Sequence, residues 1–123
     1  MIQMQSLVFA SDNSGADLVK CIKVLGGFNK TFGYVGDNIL VSIQTVKFTR
    51  RVKPGQIYPA VVIRSKKNAI FKDGSLSKFN TNSVVLLTKN NKILGTRLLG
   101  PVSKKLRRKK LFRIILMAGR III

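Results

Sequence analysis

The stretch Ala60–Leu87, AVVIRSKKNAIFKDGSLSKFNTNSVVLL, decides the fold. Ala60, Val61, Val62 and Ile63 are a short apolar run rich in β-branched residues, the composition of a buried strand. Arg64, Ser65, Lys66 and Lys67 follow at once, so the strand ends in positive charge. Asp73 and Gly74 form a turn, because glycine enters positive φ without a Cβ clash. Phe79 and Asn82 then lead into Val84, Val85, Leu86 and Leu87, a second apolar strand. The stretch therefore predicts two core strands joined by a cationic arm.

Outward from it, the chain continues in the same style. Ile2–Ala10 reads as a first strand, and Asp12, Asn13, Ser14 and Gly15 as a turn in which Asx side chains bond nearby backbone. Leu18–Leu25 is a second strand, with Lys20 and Lys23 among apolar residues. Asn29–Tyr34 is a loop carrying Lys30, with Phe28, Phe32 and Tyr34 around it. Aromatics beside a cation can stack on bases; the commoner arrangement, and the one expected here, is a satellite cluster packed under the loop. Gly36 and Asp37 form a turn, after which Ile39, Val41 and Ile43 alternate with Leu40, Ser42 and Gln44 as a half-buried strand. Lys47, Arg50, Arg51 and Lys53 form a second cationic loop ending at Pro54–Gly55, and Ile57 starts the strand that enters the opening stretch.

After it, Gly95, Thr96 and Arg97 precede the punctuating pair Gly100–Pro101. Ser103 is a candidate helix N-cap. Lys104–Lys110 follows, with six cations and Leu106, and then an apolar tail, Leu111–Ile123, interrupted by Arg113, Gly119 and Arg120. Thirteen residues with two arginines do not span a bilayer, which takes about 20 apolar residues. The tail is expected to dock on the barrel or on a neighbouring protein.

Five or six short strands with glycine and proline turns, no βαβ alternation and no internal repeat predict a mainly β fold. The expectation is one domain over residues 1–123: a small five-stranded OB-like or SH3-like barrel over about 1–100, then a basic helical segment over about 101–123.

Charge sets the function class. The 123 residues carry 23 Lys and Arg against four acids, a net charge of +19. A compact chain this small repels itself unless a polyanion neutralises it. Nucleic acid is the first candidate and an anionic membrane surface a distant alternative. Chemistry is poorly provided for. There is no His or Glu, Cys21 lies alone in an apolar strand, and Asp12, Asp17, Asp37 and Asp73 are scattered. The chain therefore predicts no enzyme, no metal site and no cofactor. Cationic clusters at Lys47–Lys53, Arg64–Lys72 and Lys104–Arg113 are separated by apolar strands, as suits folded RNA whose phosphates approach from several directions. The candidate contacts are Lys20, Lys23 and Lys30; Lys47, Arg50, Arg51 and Lys53; Arg64, Lys66, Lys67, Lys72 and Lys78; and Lys104, Lys105, Arg107, Arg108, Lys109, Lys110 and Arg113.

The opening stretch also carries a family pattern: a small residue and three aliphatics, then Asp73–Gly74, Phe79, Asn82 and the Val-Leu of the second strand. With Ser11–Ala16 (SDNSGA), Lys20–Gly27 (KCIKVLGG), Val35–Asp37 (VGD) and Gly95–Val102 (GTRLLGPV), all in family order, the chain resembles the L-fourteen family of large-ribosomal-subunit proteins. The resemblance implies a five-stranded OB-like barrel with a small C-terminal helical piece. It also implies binding to large-subunit rRNA at the face meeting the small subunit, and bridges to small-subunit rRNA. The implied neighbours are proteins of the L-three and L-nineteen families, and a ribosome silencing factor that docks on Thr96 and Arg97. Lys104–Lys110 has no acid where the family mixes acids with bases. The resemblance begins at Met1, and the chain is rich in Ile, Lys, Asn and Phe; the expectation is an organelle-encoded protein of the mitochondrial matrix, or else a bacterial cytoplasmic one. An extraribosomal nucleic-acid-binding barrel is the alternative function.

Overall fold

The computed structural model describes residues 1–48, 51–109 and 111–122. In chain order the elements are β1 (Leu7–Ala10), β2 (Ala16–Val24), β3 (Asn38–Val46), β4 (Ile57–Arg64), β5 (Ala69–Ile70), β6 (Leu76–Ser77), β7 (Ser83–Leu86), β8 (Val102–Ser103), α1 (Lys105–Arg108), α2 (Phe112–Met117) and β9 (Ile121–Ile122). Strands β1, β2, β3, β4 and β7 form a closed barrel in that order. All neighbours are antiparallel except β1 and β7, which pair parallel at Phe9↔Ser83 and Ala10↔Val84 and so close the barrel. The fold is mainly β, as expected, with two short helices near the C-terminus.

The two apolar strands of Ala60–Leu87 pair with each other, Ala60 opposite Leu86, Val61 opposite Val85 and Val62 opposite Val84. Every residue of β7 is buried, and so is β4 from Ala60 to Ile63. A strand covered on both faces has no reason to alternate, which is why these runs are continuously apolar while β3 alternates. The second cover is the C-terminal segment. Leu106 of α1 and Ile114 of α2 are buried in the same core as β4 and β7. Burying each such side chain stabilises by about 1.5–3 kcal/mol. The tail thus docks on the barrel.

The cationic arm is a hairpin of its own, β5 against β6, outside the barrel. Its turn has Gly74 at φ +86°, and the Asp73 carboxylate accepts from the Ser75 backbone N–H at 3.1 Å and the Ser75 hydroxyl at 2.7 Å.

Several boundaries differ from the sequence reading. The first strand is only Leu7–Ala10: Gln5 takes φ +69°, which no strand tolerates, and Ile2 instead bridges Gly33 across the barrel end. The second strand begins two residues early, at Ala16. Ser103 is not the N-cap of α1; it ends β8, and its hydroxyl accepts the Lys105 N–H at 3.3 Å one residue upstream of the cap position, Lys104. The C-terminal segment is not purely helical, because β9 returns to pair parallel with β8. Phe28, Phe32 and Tyr34 form no buried cluster: Phe28 is 96% exposed and Tyr34 44%. Gly26 and Gly27 carry the chain out of β2 ahead of Phe28, and Phe32 is only half-buried.

Two glycine turns should respond differently to a methyl group. Gly15 has φ +105°, and a Cβ there would stand 2.5 Å from the Phe48 carbonyl oxygen, so Gly15→Ala should cost about 2–4 kcal/mol. A Cβ at Gly74 meets nothing within 4 Å, and the turn lies outside the barrel. Gly74→Ala should cost only the backbone strain of the left-handed conformation, about 1–2 kcal/mol. Urea unfolding of the two variants checks the contrast.

Candidate nucleic-acid interface

The four acids are all engaged within the fold. Asp12 is buried at the end of β1. Its carboxylate accepts from the Ser14 hydroxyl at 2.6 Å and from the Leu86 N–H at 3.2 Å, tying the first turn to β7. Burial pushes its pKa up, against the opposing pull of the Ser14 and Leu86 bonds. Asp37, 7% exposed, accepts the Tyr34 N–H at 2.9 Å and meets Lys30 at 2.9 Å and Lys109 at 3.3 Å. Burial alone would raise its pKa; the Tyr34 bond and the two ammonium groups outweigh it and hold the carboxyl below its ordinary value. Asp17 faces Lys47 at 3.7 Å on the surface, and Asp73 caps the arm turn.

That leaves a large excess of cations, and the structure sorts them. Arg64 turns inward. Its guanidinium donates to the Ser11 hydroxyl and, at 3.4 Å, to the Pro101 carbonyl, and packs against Gly100 where no Cβ would fit. It stitches the C-terminal segment to the barrel. Lys30 and Lys109 share Asp37, with Lys109 lying over Gly36. Arg51 donates to the Leu94 carbonyl at 2.9 Å. Lys20 is half-buried on β2 and Lys23 exposed there. Lys47 and Lys53 are exposed at the ends of the β3–β4 loop; Lys66, Lys67, Lys72 and Lys78 are exposed on the arm; Lys104, Arg107 and Arg113 are exposed and Lys105 half-buried in the C-terminal segment. Arg50, Lys110 and the Arg108 side chain lie outside the described residues.

Two of the three sequence clusters come together. Lys67 of the arm and Lys105 of α1 line one groove, with Tyr34, Ser65, Asn68 and Ile70. Lys104 is near enough to Asp73 at the arm tip to help lower its pKa, after the Ser75 bonds. The arm and the basic helix are thus one continuous cationic surface. The Lys47–Lys53 loop forms a separate one, where Arg51 borders a cleft with Asn13, Ser14 and Phe48.

A third feature escaped the sequence reading. The Asn13 side chain holds the Thr96–Arg97 segment at three points. Its Oδ1 accepts from the Thr96 N–H at 2.7 Å and the Arg97 N–H at 3.1 Å, and its Nδ2 donates to the Thr96 hydroxyl at 2.8 Å. A Cβ at Gly95 would stand 2.8 Å from that Oδ1, so this close approach requires glycine. Thr96 and Arg97 are left exposed on a pinned backbone. No signal in the sequence pairs Asn13 with residues more than eighty positions away.

A thiol alone in the core does no chemistry: Cys21 is fully buried, and burial raises its pKa away from thiolate. Among the described residues no three His, Cys, Asp or Glu side chains gather as metal ligands, and no helix is long and apolar enough to cross a membrane. A closed barrel whose four acids are engaged within the chain, with exposed cations on its arm and C-terminal helices, defines a class of strongly basic β-barrel proteins suited to a polyanion. The family model described as ribosomal protein L14p/L23e matches residues 1–122. The chain belongs to that family: it is a structural protein of the large ribosomal subunit, and the family implies rRNA and other ribosomal proteins as its neighbours.

The Asp37 cluster makes stability depend on pH in a defined direction. Its folded pKa lies below the ordinary value, so its contribution is complete above about pH 4 and is lost as pH falls through the lowered pKa. Asp12, with a raised pKa, acts in the opposite sense. Asp37→Asn should cost about 1–3 kcal/mol at pH 7 and flatten the acid limb of the stability curve. Urea unfolding between pH 2.5 and 7 checks both effects; an unchanged acid limb would show that Asp37 is not the group responsible.

Proposed function

We propose that this chain, acting as one ribosomal-protein domain, binds large-subunit rRNA through the joined surface of the arm and the C-terminal helices, at the face that meets the small subunit. The observation that carries this reading is the shared groove of Lys67 and Lys105, which unites two basic clusters far apart in sequence. Lys66, Lys72 and Lys78 are exposed on the arm and Lys104 and Arg107 in the C-terminal segment, and in this reading they meet phosphates from several directions. Arg64 is left out of the contact set, because its guanidinium is engaged within the fold. The Thr96–Arg97 platform is the protein-docking surface. Its fixed backbone offers the planar guanidinium of Arg97 to a silencing factor or a bridging partner, and the neighbouring Thr96 borders a cleft with Arg113. Contacts with small-subunit rRNA and with proteins of the L-three and L-nineteen families belong to the same reading. The abundance of Ile, Lys, Asn and Phe favours a mitochondrial ribosome over a bacterial one.

Two measurements test the two surfaces. Neutralising Lys66 and Lys78 together (Lys66→Gln, Lys78→Gln) should weaken binding to deproteinised large-subunit rRNA. It should also reduce the slope of log affinity against log salt by about 0.7–0.9 per lost phosphate contact. A slope equal to that of the unaltered protein removes the arm from the interface. Arg97→Ala should leave incorporation into large subunits intact and weaken retention of the silencing factor by about 1–3 kcal/mol, the range of a charge-assisted contact. Pull-down with purified subunits reads both; failure to incorporate would assign Arg97 to the rRNA side instead.

A further inference from the structure

Tyr34 is an exposed aromatic in the groove that joins the arm to α1. The residue is 44% exposed, and the Lys67 ammonium lies over the ring, 5.7 Å from its centre. The groove has a volume of about 200 Å³, is bordered by the Lys105 and Asn68 side chains, and has Ile70 as an apolar wall.

The backbone beneath the ring is held firmly. The Tyr34 N–H donates to Asp37 at 2.9 Å, and the Asp37 N–H donates back to the Tyr34 carbonyl at 3.0 Å. On the opposite wall, the Ser65 hydroxyl accepts the Lys67 N–H at 3.2 Å. An exposed phenol on a rigid turn is an odd element in a surface that binds only phosphate, because phosphates need cations and donors and no π-face. An aromatic ring flanked by ammonium groups, with a side-chain amide at hand, matches the face, the backbone and the edge of a nucleotide.

Resting on the rRNA-binding reading, we infer that the groove between the arm, α1 and the Tyr34 turn takes one unstacked nucleotide of a single-stranded RNA segment. The base lies on Tyr34, the flanking phosphates meet Lys67 and Lys105, and Asn68 offers hydrogen bonds to the base edge. A base inside an A-form helix has its faces covered by its neighbours, so the site selects a bulge, loop or strand end over duplex.

The full-length protein with deproteinised large-subunit rRNA provides the test. Tyr34→Ala should weaken binding about fivefold to a hundredfold, the value of one stacked base, with the salt slope unchanged. Tyr34→Phe should bind as the unaltered protein does. Lys105→Gln should instead lower the salt slope by about 0.7–0.9. The chain has no tryptophan, so Tyr34→Trp places a single fluorophore in the groove, and its emission should be quenched by the rRNA. If the unaltered protein fails to bind rRNA, the functional reading itself falls and this one with it. If it binds, and Tyr34→Ala binds equally well, the nucleotide site is overturned while the functional reading stands. Should Tyr34→Ala prove poorly folded, the Tyr34→Trp emission decides: quenching supports the site, and unaltered emission overturns it.

Discussion

With four carboxylates among 23 cationic side chains, no acid can be placed casually. Three of the four tie parts of the fold together. Asp12 joins the first turn to β7 through the Leu86 N–H, and Asp37 gathers Lys30, Lys109 and the Tyr34 backbone into one cluster. Asp73 forms the arm turn. Asp17, with Lys47, is the surface pair, and such exposed pairs contribute little. The consequence is electrostatic. Among the described residues only Asp37 and Asp17 pair with cations, Lys30, Lys109 and Lys47, so the arm and the C-terminal helices keep a large positive excess. The field of that excess repels itself in the free protein and is relieved by a polyanion. In the large ribosomal subunit, the setting the family gives this chain, rRNA is such a polyanion.

The barrel provides the frame on which that field is distributed. Its closure depends on β1 meeting β7 in parallel, and the carboxylate of Asp12 stands where the chain leaves β1. The C-terminal segment then covers the outer face of β4. Arg64 spans this join, reaching Ser11 in the first turn and Pro101 ahead of β8. One residue thus connects three parts of the chain. A lysine has neither the planar fork nor the number of donors to do the same.

The strands were legible in the sequence because burial on one face or on two leaves a direct trace, alternation in β3 and unbroken apolar runs in β4 and β7. The Asp73–Gly74 turn was legible because its chemistry is local. What was not legible lay across long sequence separations. Arg64 reads as one more cation in a basic run, and only the folded chain shows Ser11 and Pro101 beside it. Asn13 reads as a turn residue, yet its amide fixes Thr96 and Arg97. The start of β1 was misplaced because Gln5 at positive φ interrupts an apolar pattern that otherwise continues to Ile2. Ser103 has the composition of a cap, but its position is decided by β9 returning to pair with β8, a non-local event.

Asp37 links the stability of the fold to the geometry of its binding surface. Its carboxylate receives the Tyr34 N–H and the Lys30 and Lys109 ammonium groups at once. Lys109 follows α1 directly, and α1 carries Lys105, one wall of the groove; Tyr34 stands in that same groove. A single buried carboxylate therefore sets the position of an aromatic ring on one wall and anchors the end of the helix that bears the cation on another. Side chains on two segments more than seventy residues apart in sequence hold a fixed relation only if something rigid joins them, and a charged cluster with short contacts and little exposure to water is such a joint. The cluster is screened less than the outer cations, because its acid is only 7% exposed. Rising ionic strength therefore screens the exposed lysines of the arm more than it screens the Asp37 carboxylate, and the two walls of the groove keep their relation.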